Sequence, residues 1–197
     1  GGEMIAVLEE RNFPVGKILP LASENSIGKE VQFGEKNLPV EVLDENSFEG
    51  IDIALFSAGG KVSEKYAPIA AGAGAVVIDN TSAFRSDPKI PLVVPEINPH
   101  RIADYKEKGI IANPNCSTIQ MVMVLKPLHD VAPIKRVVVT TFQSVSGAGI
   151  SAMEELSKQA VNLFSGGECE SKVFPHRIAF NCIPHIGKFN ADGDTEE

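Results

Sequence analysis

The residue types that could do chemistry in this sequence gather around one cysteine. Cys116 stands in Asn113-Pro114-Asn115-Cys116-Ser117-Thr118, at the junction between an apolar run and a helical pattern. A helix start presents unpaired N–H groups and the positive end of the backbone dipole, which favour thiolate over thiol. Such a thiolate attacks carbonyl carbon, and the same N–H groups can receive the oxyanion that forms. A lone Cys is otherwise one more small apolar residue for a core; its place at a strand–helix junction favours the reactive reading. Cys169, in the acidic loop Gly166-Gly167-Glu168-Cys169-Glu170, and Cys182, in the apolar run IAFNCIPHI, take the packing reading.

Three further segments carry side chains or backbone suited to ligands. Ser57-Ala58-Gly59-Gly60 follows the apolar run Ile51–Phe56, where glycines let backbone N–H groups approach a phosphate or a carboxamide, or simply make a turn. Ser146-Gly147-Ala148-Gly149 has the same two readings. Arg85 follows the run ending at Asp79 and offers a planar fork for a carboxylate or phosphate, or else a surface salt bridge. Gln143 closes the run Val137–Phe142 and either orients a substrate through its amide or satisfies loop backbone.

The elements that must position these residues are written in the hydrophobic pattern. Glu3–Glu10 places Met4, Val7 and Leu8 on one helical face, and Arg11-Asn12-Phe13-Pro14 ends it. The apolar runs KILPLAS and LPVEVL flank a polar turn. Strands are expected at Ile51–Phe56, Ala75–Asp79 and Ile110–Ala112, with an Ala-rich helix over Ser63–Gly72. A helix is expected after Cys116 and a strong strand over Arg136–Phe142. β-Branched runs alternating with helices require a parallel sheet covered on both faces, an α/β doubly wound nucleotide-binding domain. A second domain is expected to begin near Cys116, giving parts 1–115 and 116–197.

Composition limits the function classes. A 197-residue chain with 43% hydrophobic and 22% charged residues can bury a full core, so disorder is not expected. The net charge of −8, with Lys and Arg scattered, argues against nucleic-acid or anionic-membrane partners and for small-molecule chemistry. No stretch approaches a membrane span and no secretory pattern opens the chain, so a cytoplasmic protein is expected. Three cysteines without CxxC spacing and four histidines without HExxH spacing give no metal site and no disulfide framework.

Taken in order, SAGG at 57–60, VIDNTSAFR at 77–85, PLVVPEIN at 91–98, NPNCSTIQM around Cys116 and QSVSGAG at 143–149 resemble the bacterial aspartate-semialdehyde dehydrogenases over nearly the whole chain. The resemblance implies a Rossmann-like domain, followed by part of an α+β catalytic and dimerisation domain. It also implies NADPH-dependent reductive dephosphorylation of aspartyl-4-phosphate to aspartate-4-semialdehyde, a step toward lysine or diaminopimelate, methionine, threonine and isoleucine. Cys116 would be the nucleophile, Gln143 would orient the reacting group, Arg85 would contact phosphate and Asn115 would stand beside the thiol in the substrate site. Ser57, Ala58, Gly59, Gly60, Thr81 and Ser82 would line the cofactor cleft, with Ser146, Gly147 and Gly149 near the nicotinamide. Ala22, Ser23 and Ser26 would receive the adenosine 2′-phosphate, although Asn25 stands where the family often has arginine, which leaves NAD open beside NADP. A homodimer or homotetramer is implied.

Measured against that family, the chain is expected to lack the leading strand and phosphate loop at one end. At the other it is expected to lack the acid–base histidine and a substrate-binding arginine, and alone to be inactive. The alternatives are an N-acetyl-glutamyl-phosphate reductase, whose nucleophile usually stands in a GCY context, and a non-catalytic fragment of the family.

Overall fold

A computed structural model describes residues 1–187 and 189–195; the last two residues of the acidic tail lie outside them. The chain divides into two compact units, Gly1–Val137 and the residues from Val138 onward. The helix that starts at Cys116 therefore belongs to the first unit, whereas the sequence reading put it at the head of the second domain.

The first unit opens with α1 (Gly2–Glu10), which packs against the hairpin of β2 (Glu30–Phe33) and β3 (Lys36–Pro39). Its covered positions are Met4, Ile5 and Leu8, while Val7, expected on that face, points out. Glu9 accepts the Gly34 N–H at the hairpin turn. β1 (Leu21–Ala22) pairs in parallel with β4 (Glu41–Val42), Leu21 beside Glu41 and Ala22 beside Val42.

The parallel sheet that carries most of the core follows. β5 (Ile53–Phe56), β6 (Val76–Asp79) and β7 (Ile110–Ala112) stand in that order, all parallel, with Phe56 beside Asp79 and Asp79 beside Ala112. Residues 91–93 run along the far side of β7, where Val93 donates to the Ala112 carbonyl and Ala112 to that of Pro91. α2 (Gly60–Gly72) crosses over and packs on all three strands through small residues, Ser63, Ala67 and Ala70. Small side chains at those positions let the helix sit close, and Phe48 fills the remaining space, stacked on Phe56 with ring centroids 5.9 Å apart.

Two expectations need correction. The sheet is not covered on both faces throughout, because Ile53 and Leu55 on β5 are exposed while Ala54 and Phe56 are buried, so β5 reads as a strand with one buried face. The segment 136–142 forms no strand. Its Val138 and Phe142 are 80% and 83% exposed, and no strand among the described residues lies beside it. β-Propensity expresses fit to a neighbouring ladder, and without one the backbone groups have nothing to pair with.

The second unit is organised by α4 (Ile150–Phe164), a helix the sequence reading did not identify. It holds the irregular stretch 168–181 through two buried polar side chains one turn apart. Glu155, 8% exposed, accepts the N–H groups of Lys172, Val173 and Phe174 at 2.8, 2.6 and 3.4 Å. Gln159, 2% exposed, accepts from Ile178 and Ala179 and donates to the Glu170 carbonyl at 2.7 Å. The Val173 N–H, then those of Lys172 and Phe174, hold the Glu155 carboxyl below its ordinary value of 4.5.

Because the folded value is the lower one, Glu155 contributes stability that is fully present above the unfolded value and lost as pH falls through the folded one. Amide exchange should therefore show protection of residues 172–174 at neutral pH that fades on acidification. Glu155→Ala should remove it at all pH values and Glu155→Gln only in part. Equal protection in wild type and Glu155→Ala would exclude this fastening.

Candidate active site

The candidate residues of the first unit lie at the carboxyl ends of its parallel strands, the edge where open α/β sheets take ligands. At β1, Ala22 ends the strand and Ser23 leads a single 3₁₀ turn, Glu24–Ser26. At β5, Ser57 and Ala58 are exposed and Gly59 precedes α2 with φ +98°, a conformation that favours glycine. Space around Gly59 is open, with no heavy atom within 4 Å of where a Cβ would sit. The Gly60 and Lys61 N–H groups at the head of α2 carry no hydrogen bond among the described residues. An open, left-handed glycine followed by two unengaged donors fits a phosphate or carboxamide oxygen, so the residues present suit a dinucleotide.

At β6 the strand ends on Asp79, fully buried, and its carboxylate joins the neighbouring elements. Oδ1 accepts the Ser63 hydroxyl at 2.8 Å from α2 and the Thr81 N–H at 3.1 Å; Oδ2 accepts the Thr81 hydroxyl at 2.8 Å. Thr81, expected in the cofactor cleft, is thus fixed from both backbone and side chain, and its hydroxyl oxygen accepts the Ala83 N–H in turn. Ser82 is exposed beside it. Sequence reasoning passed over Asp79, although an acidic residue closing the apolar run Ala75–Asp79 was the signal that could have found it.

Arg85, from the same turn, is half-buried and donates through Nε to the Asn113 carbonyl at 2.9 Å and through Nη2 to the Asn80 carbonyl at 3.3 Å. It bridges the exits of β6 and β7, three residues before the cysteine. It also borders an open groove of about 440 Å³ shared with Leu92, Asn98, His100 and Arg101.

At β7 the chain passes through Asn113 and buried Pro114 into α3 (Cys116–Val131). Asn115 is the N-cap, its Oδ1 accepting the Ser117 N–H at 2.8 Å and the Thr118 N–H at 3.3 Å. Cys116 is the first helical residue, exposed and reduced. The cap takes two of the helix-start donors expected to serve an oxyanion, so the Cys116 N–H is the one left for that purpose. This gives Asn115 an observed role in shaping the helix start, beside the substrate contact that the resemblance implies.

The remaining candidates belong to the second unit. Gln143 is half-buried in the segment before a 3₁₀ turn, Val145–Ala148, capped by the Ser144 hydroxyl. Ser146 donates its hydroxyl to that of Ser144 at 3.1 Å, Gly147 follows, and Gly149 at φ +92° opens α4. The two Gly-containing turns, at 57–60 and 146–149, therefore share one device, a left-handed glycine at the head of a helix. Cys182, expected to pack, is exposed because residues 181–187 form no regular element. Cys169 is half-buried, its thiol facing the Gln159 carbonyl at 3.5 Å. Among the described residues no group of three or more His, Cys, Asp or Glu is placed to hold a metal, and no helix is long and apolar enough to cross a membrane.

Residues 1–105 match the family model described as semialdehyde dehydrogenase, NAD binding domain, and residues 125–197 the one described as semialdehyde dehydrogenase, dimerisation domain. The chain belongs to the semialdehyde dehydrogenase family. It is 57% identical to an aspartate-semialdehyde dehydrogenase of Aquifex aeolicus and 53% to aspartate-semialdehyde dehydrogenase 2 of Vibrio cholerae, covering 100% of this chain and 58% of each relative. The crystal structure of the Vibrio cholerae aspartate semialdehyde dehydrogenase II complexed with ASA superposes with a TM-score of 0.94 at 52% identity, over 98% of this chain and 58% of that one. A probable aspartate-semialdehyde dehydrogenase of Pseudomonas aeruginosa superposes with a TM-score of 0.83 at 28% identity, over 98% of this chain and 57% of that one. The chain thus spans somewhat over half the length of the relatives it matches. The Rossmann-like reading of the first unit stands, as does the presence of dimerisation-domain sequence after it.

Two outcomes are expected from this geometry. Iodoacetamide should label Cys116 faster than Cys169 or Cys182 near neutral pH; Cys182 is exposed too, so equal rates for those two would show that exposure, not the helix start, sets reactivity. Asp79→Ala should leave buried donors on Ser63 and Thr81 unsatisfied and cost about 1–3 kcal/mol for each, read by denaturant unfolding. An unchanged midpoint would remove Asp79 from its organising role.

Proposed function

We propose that this chain is the dinucleotide-binding and thiol-bearing part of an aspartate-semialdehyde dehydrogenase. It would act in the NADPH-dependent conversion of aspartyl-4-phosphate to aspartate-4-semialdehyde and phosphate, with NAD as a further cofactor. The observation that carries the reading is Cys116, exposed as the first residue of α3 at the ligand edge of the parallel sheet, with Asn115 capping the helix. Identity of 57% and 53% to relatives of that name supports the choice of substrate.

In this reading the Cys116 thiolate attacks the 4-acyl carbon of the substrate. The S–C bond forms, the C–O bond to phosphate breaks, and inorganic phosphate leaves from a thioacyl enzyme. The developing oxyanion lies toward the Cys116 N–H. One donor at such a position typically accounts for about a hundredfold to a thousandfold in rate. Arg85 stands at the neighbouring strand exit along the same sheet edge and receives the phosphate; by the family resemblance, Gln143 orients the acyl group. Bound NADPH supplies the hydride that reduces the thioester. Ser57, Ala58, Gly59, Gly60, Thr81 and Ser82 line the cofactor cleft of the first unit, with Ala22, Ser23 and Ser26 at the adenosine end; the family resemblance assigns Ser146, Gly147 and Gly149 to the nicotinamide. The dimerisation-domain sequence supports a homo-oligomer, dimer or tetramer.

The test is acylation without cofactor. Aspartyl-4-phosphate, generated in place, should add one aspartyl group to the protein by intact mass. Hydroxylamine should release it, and Cys116→Ala and Cys116→Ser should not form it. A protein that stays unmodified, or is acylated equally in Cys116→Ala, would overturn the assignment.

A further inference from the structure

The turn at the end of β1 has the wrong charge for selective recognition of a 2′-phosphate. In a doubly wound domain a Gly-rich turn opens the first helix, and a residue about twenty positions later meets the adenosine ribose, an acid for a 2′-hydroxyl or an arginine for a 2′-phosphate. Here Gly1-Gly2 lead into α1, and the corresponding position, past the carboxyl end of β1, is the 3₁₀ turn of Glu24, Asn25 and Ser26. No Lys or Arg occurs between Lys17 and Lys29, and Glu24 is the only formal charge in that interval. Glu24 and Asn25 are exposed, and Glu24 has no ion-pair partner among the described residues. The turn closes on itself, the Ser26 N–H donating to the Ser23 carbonyl and the Ile27 N–H to that of Glu24, so these donors are spent.

A phosphomonoester carries about −1.5 to −2 charge at neutral pH and is held by cations or several donors. This turn meets it with a carboxylate and the hydroxyls of Ser23 and Ser26, without a cation. A ribose diol, by contrast, donates well to a carboxylate. Resting on the dinucleotide-binding reading of the first unit, we infer that Glu24 and Asn25 set the cofactor choice by withholding the usual premium for the 2′-phosphate. The protein binds NAD and NADP with comparable affinity.

Calorimetric titration of the 197-residue protein with NAD and NADP, and with 5′-AMP and 2′,5′-ADP as probes of the adenosine end, tests this. The affinities within each pair should agree to within about tenfold, since a charge-assisted contact worth that factor is missing. Asn25→Arg should move the ratio toward NADP by about tenfold and make it fall with added salt, as a surface charge contact must. Glu24→Gln should move it in the same direction. Wild-type preference for NADP beyond tenfold, or an Asn25→Arg ratio that stays put, would overturn the inference while leaving the dinucleotide site intact. Failure of all four probes to bind would sink the dinucleotide reading itself and the inference with it.

Discussion

Asp79 ends β6 with a fully buried carboxylate, and what surrounds the ligand edge of the first unit depends on how that charge is satisfied. A carboxylate out of water is costly unless donors surround it. Here three do, from Ser63 on α2 and from the hydroxyl and N–H of Thr81 in the following turn. The backbone of the same residue adds a fourth link, its carbonyl accepting the Asn113 N–H at 2.8 Å from the chain leaving β7. One residue thereby fixes the angle of the crossover helix, the conformation of the turn that carries Ser82 and Arg85, and the starting point of the segment that ends at Cys116.

The approach to the thiol shows a second trade between structure and chemistry. A helix start has only a few unpaired donors, and each one given to a cap is withdrawn from a ligand. Asn115 takes the Ser117 and Thr118 N–H groups, which sets the first turn of α3 and places Cys116 at its edge, but leaves a single backbone donor at the cysteine. Arg85 makes a comparable trade. Its guanidinium spends Nε and Nη2 on the carbonyls of Asn113 and Asn80, so the side chain best suited to phosphate is also the strut between two strand exits. Replacement by Lys would keep the charge and lose the geometry of both roles.

How much of this was legible in the sequence depended on whether an element is set by its own residues or by a neighbour. β6, β7, α2 and α3 were readable because apolar runs, small-residue helices and the Asn-Cys-Ser-Thr junction each carry a local signature. The left-handed glycines at 59 and 149 were readable as turns for the same reason. The Arg136–Phe142 run was misread because alternation and β-branching state only that a strand would fit there, and the pairing partner must come from elsewhere. Asp79 and the cap on α3 were missed in part, since both are statements about which polar atoms meet in space. Cys182 was misread because an apolar neighbourhood in sequence does not ensure one in the fold.

The second unit illustrates why α4 in particular escaped notice. Its amphipathic pattern is the strongest among the described α-helices. Its buried positions, however, include Glu155 and Gln159 where a helix of a globular core would ordinarily place leucine or valine, so the apolar stripe alone does not mark the face that packs. Burying two polar side chains is tolerable only when every acceptor and donor finds a partner, and here the partners are backbone groups of residues 170–179 that form no helix or strand. The two requirements solve each other. A loop with no ladder of its own obtains hydrogen bonds from a helix, and the helix obtains in the loop a lining that a hydrophobic core would have supplied. Such an arrangement ties the shape of 168–181 to the rotamers of two residues, so that even a conservative change at Glu155 or Gln159 acts on the whole stretch, whereas a change at an exposed neighbour such as Val161 leaves these hydrogen bonds in place.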